Sequence, residues 1–163
     1  MQGFLPHGLQ SLHPVPFFRL SGELGHIIVN PHNGKKCYFG QTGCFDTVCN
    51  ACVLDSYTNG KLEQFFQKLY EHDAKALEIW DTYLDHLALA IHNIRMLLDC
   101  TIIIGGYVGT YIEKYMGDLY QKIDKLSVFT KFSRTYVLPC SYKKEATAAG
   151  AGIQIIENFI NSL

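Results

Sequence analysis

One run of four residues constrains the fold of this chain more than any other feature. Thr101, Ile102, Ile103 and Ile104 are all β-branched, and a pair of glycines follows them directly. An unbroken apolar run of this kind predicts a short strand that is covered on both faces. Because helical patterns lie before and after it, we expect an α/β layer structure that contains a parallel sheet.

Helical periodicity marks the segments on either side of this strand. Apolar residues at three- and four-residue spacing predict a helix at Leu62, Phe65, Phe66 and Leu69. Asp73 stands where an N-cap belongs, ahead of a long amphipathic helix that extends to Leu98. We expect the aromatic side chains Phe65, Phe66, Trp80 and Tyr83 to pack in the core.

The remainder of the alternation lies after the glycines. We expect a helix over 110–125, a strand over 134–138 and a last helix over 144–163. The predicted order is therefore a short hairpin followed by alternating helices and strands.

The N-terminal part of the chain is less regular. Residues 1–20 have no periodicity and contain three prolines, so we interpret them as an irregular arm, either a displaced start or a fusion remnant, ahead of one domain over 21–163. We expect a hairpin with strands at 27–29 and 36–39 and a turn at Asn33-Gly34. A helix is expected over 45–54.

Composition excludes several classes of protein. The chain has 163 residues, of which 48% are hydrophobic and 18% charged, so it can bury the core of one domain. Its net charge of −1 provides no positive field for nucleic acid or an anionic membrane. No apolar run approaches the roughly 20 residues that span a bilayer, and no signal peptide is recognised. We expect a cytoplasmic protein that contacts neither DNA nor a membrane.

Cysteines and one histidine form a candidate metal site. His26, Cys37 and Cys44 offer one imidazole and two thiolates, and Cys49 and Cys52 form a nearby C-x-x-C pair. Zinc accepts nitrogen and sulfur donors of this kind in tetrahedral geometry. The alternative is that these are free thiols which are buried as small apolar side chains.

Two further groups are candidate ligand-binding residues. Glu23, His26 and Asp46 offer the mixed donors and acceptors that sugar hydroxyls need, although each taken alone is typical of a solvated surface. Gly105 and Gly106 lie between a strand and a helix, where a phosphate or adenosine can approach the backbone. Their alternative role is a tight turn.

Three motifs in order resemble those of one family. The segments 21–26 (SGELGH), Cys37, and 40–46 (GQTGCFD) resemble the signature G-E-x-G-H, then C-x-C-G-x-x-G-C-x-E, of the ROK family of sugar kinases and sugar-responsive repressors. The segments 97–109 and 145–152 are similar to that family's double-glycine segment and its closing alanine- and glycine-rich helix. The resemblance implies that 21–163 is the C-terminal lobe of an actin-like, ribonuclease-H-like ATPase fold.

The resemblance also implies roles for individual residues. It assigns zinc to His26, Cys37 and Cys44, sugar hydroxyls to Glu23, His26 and Asp46, and a weak remnant of a nucleotide site to Gly105 and Gly106. This sequence departs from the signature at three places: Phe39 replaces a cysteine, Asp46 replaces a glutamate, and one extra residue separates His26 from Cys37.

The functional hypothesis depends on which motifs of the family this sequence matches and which it does not. The family's phosphate-binding D-x-G-G-T segment and its catalytic Asn-Asp pair match no stretch of this sequence, so we expect no kinase activity from the chain alone. Our hypothesis is the ligand-sensing, dimerising part of a sugar-responsive transcriptional regulator of the xylose, glucose or N-acetylglucosamine class. We expect a homodimer that binds sugar weakly. The alternatives are the C-terminal lobe of a glucokinase-like sugar kinase and a structural remnant without a ligand.

Overall fold

A computed structural model of the chain describes residues 23–128 and 132–162. Within these ranges helices predominate and two short strands form a parallel sheet, in the order α1 (Asp46–Cys49), α2 (Ala51–Asp55), α3 (Leu62–Tyr70), α4 (Ala74–Leu98), β1 (Ile102–Ile104), α5 (Gly106–Ile112), α6 (Met116–Leu126), β2 (Val137–Pro139) and α7 (Ala146–Ile160). The α/β prediction is confirmed. The irregular arm predicted over 1–20 lies outside the described residues.

The long helix α4 is the central element of the molecule. Its N-cap is Asp73, whose carboxylate accepts a hydrogen bond from the Ala76 backbone N–H at 2.9 Å. The helix ends at Leu98, and its C-cap is Asp99, a residue with a φ of 44° that pairs with Arg95 at 2.6 Å. The predictions for α3 and α4 are confirmed.

The core lies between α4 and the helices packed on it, α3 and α6. Trp80 lies in the N-terminal third of α4, stacks on Tyr83 at 5.4 Å and makes edge contacts with the rings of Phe66 and Tyr115. Around this aromatic cluster the core is aliphatic, with the fully buried residues Leu84, Ile91, Leu119, Ile123 and Val137. All four aromatic side chains predicted to lie in the core are buried.

The sheet pairs β1 with β2 in parallel, and α5 and α6 form the connection between them. Ile102, Ile103 and Ile104 lie opposite Val137, Leu138 and Pro139. Val137 is fully buried, but Ile103 is 63% exposed and its partner Leu138 is 41% exposed. The prediction that this strand is covered on both faces is therefore wrong, because the described helices pack against one face only.

Some element boundaries differ from the predictions. The helix expected over 110–125 begins earlier and is divided in two, because the turn Glu113–Tyr115 adopts 3-10 geometry between α5 and α6. The strand expected over 134–138 is confined to β2, since the preceding Ser133–Thr135 forms a 3-10 turn. The Ser133 backbone N–H donates to the Asp124 carboxylate at 3.1 Å and so anchors that turn to α6.

The segment expected as one helix over 45–54 is also two helices. The break between α1 and α2 falls at Asn50, whose side chain accepts a hydrogen bond from the Val53 N–H at 3.0 Å and so caps α2. None of the described helices has the length and hydropathy required to cross a bilayer.

Candidate functional site

The segment from Glu23 to Asp46 folds around Gly43. The Gly43 carbonyl accepts the N–H groups of Val29 and Asn30 at 2.8 and 3.1 Å, and its own N–H donates to the Lys35 carbonyl at 3.0 Å. Gly43 has a φ of 79°, and a Cβ there would lie 1.9 Å from the Asn30 oxygen. Only glycine fits this position.

This arrangement corrects the predicted hairpin. Ile28 forms an antiparallel bridge with Cys44, and Lys36 forms one with Thr42, so 27–29 does not pair with 36–39. The chain around Gly43 lies between the two segments and takes the hydrogen bonds that each was predicted to give to the other. The turn with left-handed glycine geometry is at Gly40, with a φ of 81°, and not at Asn33-Gly34.

A tight loop carries the first cysteine. The Cys37 N–H donates to the Gln41 carbonyl at 2.8 Å, and the Gly40 N–H donates to the Cys37 carbonyl at 2.9 Å. Together with the left-handed Gly40, these bonds define a three-residue hairpin loop. Cys37 lies at the base of this loop, and Tyr38 and Phe39 lie at its tip.

The structure brings His26, Cys37 and Cys44 together. Their ligand atoms all lie within 4.8 Å of one another, with both cysteines buried and the histidine half-buried. His26 ends the 3-10 turn Leu24–His26, and its N–H donates to the Glu23 carbonyl at 3.0 Å. Residues separated by up to 18 positions thus form one cluster, which we call the His-Cys cluster.

The two thiols of the His-Cys cluster differ in acidity. Burial raises the pKa of the Cys44 thiol, and the hydrogen bond and charge of Cys37 raise it further. Burial also acts to raise the pKa of Cys37, but hydrogen bonds from Cys44 and from the backbone of Phe39 and Gln41 outweigh it, so the Cys37 pKa is lowered. The cluster therefore favours a thiolate at Cys37, the form in which cysteine binds metals.

The two nitrogens of His26 have different environments. Nε2 hydrogen-bonds the Tyr38 hydroxyl at 2.8 Å, whereas Nδ1 is buried and has no hydrogen-bond partner in the described part of the chain. A buried imidazole nitrogen without a partner is costly unless a ligand satisfies it. Together with two thiols, this donor set fits zinc.

Within the described residues, the His-Cys cluster offers three ligand atoms to a metal ion. Phe39 stands where the family signature has its second cysteine. The Cys49 thiol instead points to the Tyr83 carbonyl at 3.8 Å, and burial raises its pKa to about 12. Cys52 is exposed and is not part of the cluster. A bound zinc would thus need a water molecule or a ligand atom as its fourth donor.

The candidate sugar residues surround the same loop. Asp46 begins α1 beside Gly25, where a Cβ would lie 3.4 Å from the Asp46 Cβ. Burial raises the pKa of Tyr38, and the negative charges of Glu23 and Asp46 raise it further, so both carboxylates act on this hydroxyl. Glu23 itself is exposed and Asp46 is half-buried. Carboxylates and an imidazole thus border one exposed loop.

Sequence reasoning missed Tyr38 and the role of its neighbour. The His26 ring lies 5.1 Å from the Tyr38 ring and 4.8 Å from the Phe39 ring, and the two aromatic rings lie 4.3 Å apart. In the sequence analysis, Phe39 was considered only as the replacement of a cysteine in the signature. The available signal was a pair of aromatic residues directly before a turn glycine.

The double glycine lies apart from the His-Cys cluster in the chain and forms the turn from β1 into α5. Gly105 is extended and Gly106 has a φ of 71°; both are exposed. Beside them, an open groove of about 310 Å³ lies between α3 and α5, with Lys61, Tyr107 and Tyr111 among its lining residues. The geometry is that of a strand-to-helix turn next to a groove.

Comparison with known proteins gives a consistent result. The family model described as "ROK family" matches residues 18–157. A glucokinase from Halalkalibacterium halodurans is 33% identical over 110 residues, which cover 55% of this chain and 33% of that protein. The chain thus spans about a third of the length of this curated relative.

A solved structure supports the fold. The crystal structure of ROK hexokinase from Thermus thermophilus superposes with a TM-score of 0.58 and 20% sequence identity, covering 65% of this chain and 38% of that one. At this identity the likeness shows a shared fold.

Proposed function

Because the chain belongs to the ROK family, as the match over residues 18–157 shows, we propose that residues 21–163 form a sugar-binding C-terminal lobe which acts in a transcriptional regulator. The His-Cys cluster is the observation that carries this proposal. Its three members come from separate parts of the ROK signature, and the fold groups their ligand atoms within 4.8 Å.

The sugar is proposed to bind beside the His-Cys cluster. The Glu23 and Asp46 carboxylates would accept hydrogen bonds from sugar hydroxyls, and one hydroxyl would bond beside His26 Nε2 and the Tyr38 hydroxyl that it holds. Zinc, held by His26, Cys37 and Cys44, would cross-link the turn before Ile27 to the Cys37 loop and so stabilise this corner. The exposure of Glu23 predicts weak binding, since a solvated carboxylate gains little from one hydrogen bond.

The regulator is favoured by the departures from the signature. Phe39 replaces a zinc ligand, and Asp46 is shorter than a glutamate by one methylene. A sensor needs only a difference in affinity between two states, whereas a catalyst needs reacting atoms held in near-attack geometry. These substitutions are more compatible with the first requirement.

The C-terminal lobe of a sugar kinase is the second candidate. It is favoured by the printed names of the relatives, a glucokinase and a ROK hexokinase. Phosphoryl transfer needs positioned phosphates, metal and base, and the 163 residues contain neither D-x-G-G-T nor Asn-Asp. We therefore expect that the purified chain does not phosphorylate glucose with ATP. Turnover by this chain would favour the kinase.

Calorimetric titration with xylose, glucose and N-acetylglucosamine tests the proposed function. We expect saturable heat with at least one sugar, and Glu23→Gln should weaken that binding about tenfold, equivalent to about 1.4 kcal/mol. Glu157→Gln, on the exposed face of α7, serves as the matched control and should bind like the wild type. Absence of heat with all three sugars, or equal affinity for the Glu23 variant, would contradict the proposal.

A further inference from the structure

Tyr38 and Phe39 form an exposed aromatic pair at the tip of the Cys37 loop, which we call the aromatic ledge. Their side chains are 73% and 71% exposed, and their ring centroids lie 4.3 Å apart at an interplanar angle of 45°. Exposing two adjacent large aromatic side chains has a solvation cost, so such a pair is typical of a binding surface.

The aromatic ledge is attached to the candidate site. The Tyr38 hydroxyl bonds His26 Nε2 at 2.8 Å, and its ring meets the imidazole edge-on at 5.1 Å. The Phe39 ring lies 4.8 Å from the same imidazole. The two backbone hydrogen bonds of the loop fix its base. The ledge is therefore held against His26 and does not project alone into solvent.

Polar groups border the aromatic ledge. The Glu23 carbonyl accepts the His26 N–H at 3.0 Å, and Asp46 packs beside Gly25, the residue before His26, so both acidic residues flank the histidine that the ledge contacts. The surface thus combines apolar ring faces with hydrogen-bond acceptors at one side. Ligand sites that orient small polar molecules have this composition, an aromatic wall with a few convergent polar groups.

A pyranose ring has complementary chemistry. One face of the ring presents polarised C–H groups, and its rim carries hydroxyls. Aromatic faces carry negative electrostatic potential and attract polarised hydrogens, while carboxylates accept hydrogen bonds from hydroxyls.

We propose that the aromatic ledge is the stacking wall of the sugar subsite, on which a pyranose places its C–H face while its hydroxyls meet Glu23 and Asp46. This inference rests on the proposed function and deepens it, since it adds Tyr38 and Phe39 to the site. It also gives Phe39 a positive role. Phe39 replaces a cysteine of the signature, and in this proposal its ring supplies binding surface for the sugar.

The test compares variants that separate ring, hydroxyl and apolar volume. Phe39→Leu and Tyr38→Leu keep an apolar side chain and remove the ring, whereas Tyr38→Phe keeps the ring. We expect each leucine variant to weaken binding of the sugar that binds the wild type by about 2- to 13-fold, the range given by an aromatic contact of roughly 0.5–1.5 kcal/mol. Tyr142→Leu, at an exposed aromatic outside the site, is the matched control and should leave affinity unchanged.

A second readout reports stacking itself. In proton NMR of the sugar, ring currents should shift the protons of one pyranose face upfield with wild-type protein and with Tyr38→Phe, and Phe39→Leu should reduce the shift. Because the substituted side chains are exposed, circular dichroism should show that the variants fold normally.

The outcomes distinguish this inference from the proposed function. If Glu23→Gln weakens binding but both leucine variants bind like the wild type, the proposed stacking role of the ledge is wrong and the proposed sugar site is retained. If the leucine variants change only self-association, the ledge is a protein contact and the inference is wrong. If the wild type binds no sugar, both fail together.

Discussion

Position 39 decides how many metal ligands the Cys37 loop can offer. Its side chain is 71% exposed, and its ring lies 4.8 Å from the His26 ring, so a thiol placed there would start close to the His-Cys cluster. Zinc bound by four protein ligands is retained more strongly than zinc bound by three and a water. The side chain at position 39 therefore determines whether the protein could offer three or four ligands to zinc.

Phe39→Cys should add a fourth protein ligand to the His-Cys cluster. We expect the variant to keep about one equivalent of zinc through dialysis against a chelator, and the wild type to lose zinc under the same conditions. Elemental analysis measures the stoichiometry. Phe39→Ser removes the ring without adding a thiolate, and it should behave like the wild type. Equal retention by the cysteine and serine variants would show that position 39 does not reach the metal.

The residues of the candidate site were predictable to different degrees. His26, Cys37 and Cys44 were identified as a candidate metal site from their donor atoms and again through the resemblance to the ROK signature, and the structure groups them. Tyr38 was not identified, because an exposed aromatic side chain fits no periodic pattern. Its partner Nε2 of His26 becomes known only when the fold of the Cys37 loop is known.

At the scale of elements, α4 organises the core. Leu84 is 1% exposed and lies on its buried face, while Leu77 on the same helix is 42% exposed. The two residues have the same chemistry and the same helix context. Truncation at each position therefore isolates the effect of burial.

Leu84→Ala should destabilise the protein by about 2–5 kcal/mol, since it removes buried methyl groups and leaves a cavity. Leu77→Ala should cost about 0.5 kcal/mol or less, as is usual for a surface position. Urea unfolding followed by circular dichroism measures both differences, provided that the slope m is unchanged. Similar losses for the two variants would contradict the assignment of α4 as the core helix.

The difference between local and long-range signals explains which elements were predictable. The helices α3 and α4 follow from apolar residues at helical spacing and from the Asp73 cap, which are local signals. The segment 23–46 depends on one glycine that bonds two stretches of chain, Val29–Asn30 and Lys35. No alternation of apolar residues encodes that contact, so the predicted hairpin paired the wrong strands.

Across the described part of the molecule, apolar side chains are exposed on the sheet and on α7 as well as at the aromatic ledge. Ile103 and Leu138 lie opposite each other in the sheet and are 63% and 41% exposed. On α7, Ile155 is 70% and Phe159 is 63% exposed. Apolar side chains gathered in this way favour association, because their burial releases structured water.

We accordingly expect a homodimer that involves α7. Multi-angle light scattering should give twice the monomer mass at high protein concentration, and the double substitution Ile155→Glu with Phe159→Glu should shift the protein to a monomer. Asn158→Glu adds charge to the same helix at an already polar position and should leave the dimer intact. A monomer mass for the wild type at every concentration would contradict this expectation.

Trp80, the single tryptophan of the chain, lies in the aromatic cluster of Phe66, Tyr83 and Tyr115. It is 4% exposed, and the aromatic rings around it belong to α3, α4 and the turn after α5. Its fluorescence emission is consequently an optical reporter of the helical core. If a chelator leaves the emission maximum unchanged, any loss of structure is confined to parts of the chain away from Trp80, whereas a red shift means that the helical core has opened.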